Sequence, residues 1–405
     1  MALNRIRMKH AYPVYQRVLV WAVIALLMGG GRLPFLSTKV FAAGPRVVLE
    51  RQQAIYSVDD QTPPPHNEVH FPYLHESGDG TWYMAHHEGP HHAGTKVFGL
   101  TWEDELARFL TDDRPQTVMS TDQGQTWRPW PGMPHRVRDL RLAITTLRDG
   151  TLVSHLSYLD DIKTGTATLC LLYSDDDGAT WTRRDVPVRG LPLVEGQGGS
   201  IWGRLIEVTA THSLLPYYGQ QNALDDSNTR YFTGLLESHD GRRTWQHLAV
   251  IAGADTPGEE GPNEADIVHL GDDELYAIFR TGDKEGSTMY ESRSLDLGKS
   301  WTQPTPYPGG EEGVSPQLRL LDDQRLVLVF GRRVLGDRAI VARASADRGH
   351  TWCEPMRVYE GDGKVYANLQ VVAERRLRVA YDASPVEHDD GRVTNNIMRA
   401  VLRIE

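Results

Sequence analysis

Three pairs of polar residues recur along this chain at one offset. His70 and His86, Glu264 and Arg280, and Tyr366 and Asp382 each stand 16 residues apart. The offset alone says that the segments containing them are alike. Their chemistry says more, because acid, guanidinium, phenol and imidazole stand where a strand asks for nothing polar. Guanidinium groups bond a carboxylate at two points and keep their charge, while a carboxylate, a phenol or an imidazole can pass protons. A second concentration lies nearby. His66, His70, His75, His86, His87, His91 and His92 are seven of the chain's 16 histidines. They read as substrate-binding or proton-transferring groups, or as a polar rim. Metal ligands come with defined spacing and an oriented outer shell; no such signature marks this cluster, so no metal and no cofactor is assigned.

The elements that must position these residues are announced by a repeated eight-residue signature. It reads Ser120-Thr-Asp122-Gln-Gly124-Gln-Thr-Trp127, and returns around Asp176, Asp240, Asp296 and Asp347. The closing tryptophans, Trp127, Trp181, Trp245, Trp301 and Trp352, lie 51 to 64 residues apart. A period of this size marks stacked supersecondary units that cannot bury their apolar faces alone. Each copy predicts a tight turn, with Ser and Asp capping backbone N–H groups, Gly supplying positive φ and Trp plugging the sheet. These aspartates are therefore structural. The third copy departs, with Gly241 one place early and Arg242 where the glycine should be. Apolar runs at 152–156, 275–279 and 326–330 follow Asp-rich turns and read as strands. Five copies plus a last unit without one (365–404) predict an all-β chain of six four-stranded units. Val47-Val48-Leu49 is expected to pair with the last unit and close the ring, which removes exposed edges. The first strand of each unit then starts at one rim of the channel, where the second strand ends.

The signature resembles the Asp-box of the sialidase-like six-bladed β-propellers. In that family a tyrosine is the nucleophile, a glutamate takes its proton, three arginines hold the substrate carboxylate and an aspartate is the acid/base. The segment Asn263-Glu264-Ala-Asp-Ile-Val-His-Leu…Ala-Ile-Phe-Arg280 looks like the family's glutamate strand and second arginine. Gly363-Lys-Val-Tyr366-Ala-Asn-Leu…Val-Ala-Tyr381-Asp resembles its tyrosine strand. The resemblance thus implies Tyr366 as nucleophile, Glu264 as its base and Arg280 as a carboxylate ligand. Arg338 is the best match for the third arginine, with Arg332 and Arg333 as rivals. A neutral phenol also avoids the repulsion that a carboxylate nucleophile would feel from an anionic sugar. The first unit departs from the pattern: Val69-His70-Phe71-Pro72 carries His70 in the arginine's place, so His70, with His86 beside it, becomes a candidate substrate ligand. The family's acid/base precedes the first box. Asp112 is preferred there, with Asp113, Glu103 and Asp104 as alternatives.

The functional expectation is an exo-glycosidase releasing a terminal acidic sugar, a sialic acid or a related 2-keto or uronic acid, with retention. Two alternatives stand beside it. One is a lyase on uronic-acid chains, in which His70 or His86 takes the C5 proton; the other is a propeller that binds glycans or proteins without catalysis. Composition narrows the partners. The formal charge is −11, and residues 1–43 hold six basic residues and no acid, leaving −17 without them. So acidic a chain lacks the clustered Lys and Arg that nucleic acid requires. Arg5, Arg7, Lys9 and Arg17 before the apolar run 18–28, with Ala42-Ala43 beyond it, follow the plan of a secretory signal. Cleavage is expected after Ala42 or Ala43, leaving one domain, 44–405, exported to the periplasm or the medium. The run is short for a membrane span, although an uncleaved anchor is the alternative. Cys170 and Cys353, in different repeats, are expected to be free buried thiols.

Overall fold

A computed structural model describes residues 44–59, 69–88, 114–133, 140–220, 230–282, 287–361, 365–383 and 385–405. The signal segment and the acid/base candidates Glu103, Asp104, Asp112 and Asp113 lie outside these residues, as do His66, His91 and His92. Among the described residues the chain is all strand and turn, without a helix.

The strands pair as antiparallel meanders in chain order. The first comprises Val69–Glu76, Trp82–Glu88, Arg114–Ser120 and Arg128–Pro129. The second runs through Leu140–Thr146, Leu152–Leu156, Thr166–Ser174 and Thr182–Arg189. In the third, the short strands Gly199–Ile201 and Ile206–Glu207 both pair with Ser213–Gln220, and Tyr231–Ser238 and Trp245–Ala252 follow. The second and third merge into one ten-stranded sheet, because Val188 and Arg189 pair in parallel with Trp245 and Gln246. Next come Asn263–Gly271, Glu274–Arg280, Tyr290–Ser294 and Thr305–Pro306, then Val314–Leu320, Leu326–Val334, Asp337–Ser345 and Met356–Glu360. The last meander takes Ala367–Ala373, Arg376–Asp382 and Val393–Ile404 from the end of the chain and Val47–Asp59 from its beginning.

The apolar core lies between these meanders rather than within any one of them. Leu169, Val188, Leu215 and Phe232 join the second to the third, and Leu235 and Phe279 the third to the fourth. Phe330 with Ile278, and Val329 with Leu377, continue the series. Ile55 and Ile397 of the last meander pack on Leu74, Trp82 and Met84 of the first, and Tyr83 and Trp130 of the first on Leu172 and Trp181 of the second. The succession therefore closes on itself. Val47 pairs with Ile404 at one end of the closing strand and Asp59 with Thr394 at the other.

The boxes fold as the turn chemistry requires. In the first, the Ser120 hydroxyl donates to Asp122 (2.7 Å) and accepts the Gly124 N–H (2.8 Å), and Asp122 accepts both the amide and the hydroxyl of Thr126. Two consecutive residues take positive φ, Gln123 and Gly124 here, Asp177 and Gly178 in the next copy. The third copy keeps that backbone. Gly241 and Arg242 have φ of 73° and 70°, and the Arg242 N–H reaches the Ser238 hydroxyl at 3.0 Å. The shifted glycine thus changes which of two left-handed positions is relieved of its side chain, not the turn. The tryptophans depart from expectation. Trp181 and Trp245 are buried, whereas Trp127, Trp301 and Trp352 are only half-buried. Trp127 instead uses its indole N–H to tie Ile55 of the closing strand. Both cysteines are free, Cys170 buried and Cys353 half-buried.

Candidate active site

The innermost strands share a local irregularity that aims the site. Pairing slips between His70 and Tyr73, between Asn263 and Asp266, and between Val314 and Gln317. At the slip stand Phe71, Glu264 and Ser315, with φ of 49°, 48° and 51°; Val365 before Tyr366 has 57°. The three slips are β-bulges, whose extra residue bends the strand and re-aims a side chain. A left-handed backbone costs a residue with a Cβ of order 1–3 kcal/mol and persists where surrounding structure enforces it, commonly at functional sites.

The bulge at Glu264 turns its carboxylate into contact with a buried phenol and guanidinium. The Tyr366 hydroxyl donates to Glu264 Oε1 at 3.1 Å, and Arg280 Nη1 lies 3.3 Å from the Tyr366 oxygen and 3.2 Å from Glu264 Oε1. All three side chains are buried. Glu264 Oε2 accepts the Ser315 N–H, and the Tyr366 N–H donates to Asp382 Oδ1. Arg280 Nη2 also reaches Glu260 Oε1 at 2.8 Å. The Arg333 guanidinium lies over the Tyr366 ring, 4.7 Å from its centroid, and Arg338 is its direct partner on the next strand, hence on the same face. Arg332 is engaged elsewhere, with Glu312 and Asp337 at 2.8 Å each, so of the two rivals it is Arg333 that stands at the tyrosine. Phe71 meets the Tyr366 ring edge-on at 4.5 Å, and Trp202 stands 6.1 Å away.

The first meander corrects the expected histidine pairing. The bulge puts His70 opposite His87, not His86, just as Asn263 lies opposite Arg280. His70 and His87 flank Phe71, their rings 6.2 and 5.5 Å from its own. His86 points through the opposite face of its sheet. It is wholly buried, its ring 4.5 Å from that of Tyr56 and its Nε2 3.1 Å from Glu88, which also accepts the Tyr56 hydroxyl. Burial pushes the His86 imidazole below its ordinary value. His86 is a packing residue between the closing strand and the first meander, and His87 occupies the place that the 16-residue offset gave it.

Beneath the tyrosine, Trp202, Gly203, Arg204, Asp266, Arg319 and Asn368 are among the residues lining a cavity of about 20 Å³. That is room for a water, not for a sugar. Arg319 is held there by Asp266 (3.0 Å) and the Leu318 and Leu369 carbonyls. This buried pair ties neighbouring inner strands together. Glu260, His87 and the stacking residues Phe71 and Trp202 are the site residues that sequence reasoning missed or left aside. Glu260 lies in a Gly- and Pro-rich connection without any periodic signal.

A model of the BNR repeat-like domain family matches residues 143–381. The chain belongs to that family. Among curated proteins, this BNR repeat-like chain is 29% identical over 148 residues to an anhydrosialidase from Macrobdella decora, a match covering 35% of this chain and 17% of the relative's length. The chain thus corresponds to about a sixth of that protein. A crystal structure of a protein of unknown function from Dyadobacter fermentans superposes with a TM-score of 0.61 at 21% identity, covering 90% of this chain and all of the other. A Hadza microbial sialidase gives 0.52 at 18% identity, covering 82% and 66% of the two chains. A Penicillium chrysogenum alpha-L-arabinanase gives 0.52 at 14%, covering 88% and 98%. At such identities the likeness is one of fold, shared by proteins with different sugar substrates.

Proposed function

We propose that this BNR repeat-like protein is a retaining glycosidase that releases a terminal acidic sugar, a sialic acid or a related 2-keto or uronic acid, on a six-bladed β-propeller. Six successive meanders, each packed on the next and the last on the first, support the blade count. The observation that carries the chemistry is the Tyr366–Glu264 hydrogen bond beside Arg280. In this reading Tyr366 attacks the anomeric carbon as the Tyr366–Glu264 proton passes to the carboxylate. The phenol alone is a weak nucleophile, and an adjacent base is what activates it. Arg280, Arg333 and Arg338 hold the substrate carboxylate, each able to bond it in a fork that a lysine cannot make. His70 and His87 take the side of the pocket where the family's remaining arginine would stand. Asp112 protonates the leaving oxygen and then activates water for the second displacement. Residues 1–43 act as an export signal in this reading; no helix among the described residues is long and apolar enough to cross a membrane.

The test is a product screen over sialosides, other 2-keto acid glycosides and uronate polymers, with wild type and Tyr366→Phe. Hydrolysis by wild type alone, with retained configuration by NMR, supports the reading. An ultraviolet-absorbing unsaturated product would instead make the protein a lyase. Binding without turnover by both proteins would make it a lectin-like propeller.

A further inference from the structure

On the third meander, away from the tyrosine, three ligand-bearing side chains converge for a reason visible in the register. Ser213 pairs with Ser238 at the ends of their strands, so His212 and His239, one step beyond those ends, are neighbours. Glu237 lies two residues before His239, and side chains two apart on a strand share a face. The imidazoles stack with centroids 4.2 Å apart and an interplanar angle of 20°. Both Nε2 atoms face one carboxylate oxygen, Glu237 Oε2, at 2.9 Å from His239 and 3.9 Å from His212. One ligand atom from each of the three lies within 4.8 Å of the others. His212 Nε2 is buried and has no hydrogen-bond partner. That orphaned nitrogen is independent of the clustering, and a buried polar atom normally has a partner.

We propose that His212, Glu237 and His239 form a site for a divalent transition ion of the zinc class, at the end of the fold that carries the boxes. Two imidazoles and one carboxylate are the donor set of zinc rather than of calcium, which takes six to eight oxygens. The ion replaces the proton that His239 shares with Glu237 and engages the His212 nitrogen that the protein leaves unbonded. A fourth position stays open to water. Gln246 Nε2 donates to Glu237 Oε1 at 2.7 Å, leaving Oε2 turned toward the histidines, the kind of outer contact that orients metal ligands. The ion would clasp the connection before Ser213 to the turn of the third box, where Arg242 replaces the usual glycine.

The experiment is a zinc titration of the full chain, without a histidine tag and stripped by chelator, competed against a chromophoric indicator. One ion per chain is expected. His239→Ala and His212→Gln should each weaken it by at least the 10- to 100-fold seen for outer-shell losses, while His388→Ala, an exposed histidine bonded to Thr394, should leave it unchanged. His239 has a side chain 60% exposed, so its replacement leaves the fold intact, and circular dichroism checks the His212 variant. Failure of the full chain to take up zinc, or unchanged binding in either variant, overturns the site. Calcium bound as tightly through the same residues overturns the ion class.

Discussion

Glu264 carries the functional reading on two counts, its hydrogen bond from Tyr366 and its left-handed backbone. Glu264→Gln keeps the shape and removes the proton acceptor, so kcat should fall by roughly 10²- to 10⁴-fold, the usual worth of general-base help, with the fold retained but less stable because the buried pair with Arg280 loses its anion. A kcat within a factor of a few of wild type would remove Glu264 from the base's role. Arg280 couples function to stability. Glu264 is buried and Glu260 partly so, and both face its guanidinium. Arg280→Met leaves them without their cation, and breaking a buried pair in this way costs about 3–5 kcal/mol. Denaturant unfolding of the variant measures that loss directly. Tyr366, Glu264 and Arg280 could be picked out of the sequence because each lies in, or immediately before, a strand whose flanking pattern resembles the family's. His87 could not. The one-residue error came from the bulge at Phe71, since nothing about a phenylalanine announces a φ of 49°.

At the scale of the element, strands and turns respond to acid in two separate ranges. His86 is wholly buried and held below its ordinary pKa, so the folded chain refuses a proton that the unfolded chain accepts near pH ~6.5. The unfolded state then binds more protons, and stability falls as pH drops through that value. His86→Asn should flatten the upper part of this fall in a series of unfolding curves. The boxes act lower. Hydrogen bonds from Thr126 and Ser120 hold Asp122 at about 2, and those from Ser300 and Ser294 do the same for Asp296. A depressed carboxylate contributes stability that is present above its unfolded value near ~3.9 and lost as pH falls toward the folded one. A second destabilisation is therefore expected between pH about 4 and 2, reduced in Asp122→Asn. The boxes were legible because their turn chemistry is local. How deeply each tryptophan is buried was not, since that depends on the neighbouring meander. Trp245→Ala should cost about 3–5 kcal/mol, as emptying a buried aromatic site does, and Trp301→Ala measurably less. Equal losses in the two would contradict the difference in burial.

For the molecule as a whole, the repeat period was enough to foresee a ring of strands closed by Val47-Val48-Leu49, because stacked units must bury their faces on one another. It could not foresee that the second and third meanders share a sheet through Val188, Arg189, Trp245 and Gln246, a contact between outer strands that no repeat signature encodes. Nor did it mark Trp202 and Glu260, which reach the site from the irregular part of the third meander and from a connection.

The pairing of Val47–Asp59 with Val393–Ile404 also sets a timetable for folding. The strand synthesised near the start belongs to the sheet finished at the end, so its edge waits unpaired while more than 300 residues are made. Contacts so distant in sequence are slow to form, because loop closure is paid before they reward it. An unpaired edge left open meanwhile is an invitation to wrong partners. Of all the meanders, the last is the one whose two ends lie farthest apart along the chain; it is the lock that turns only when residues 393–404 have been made.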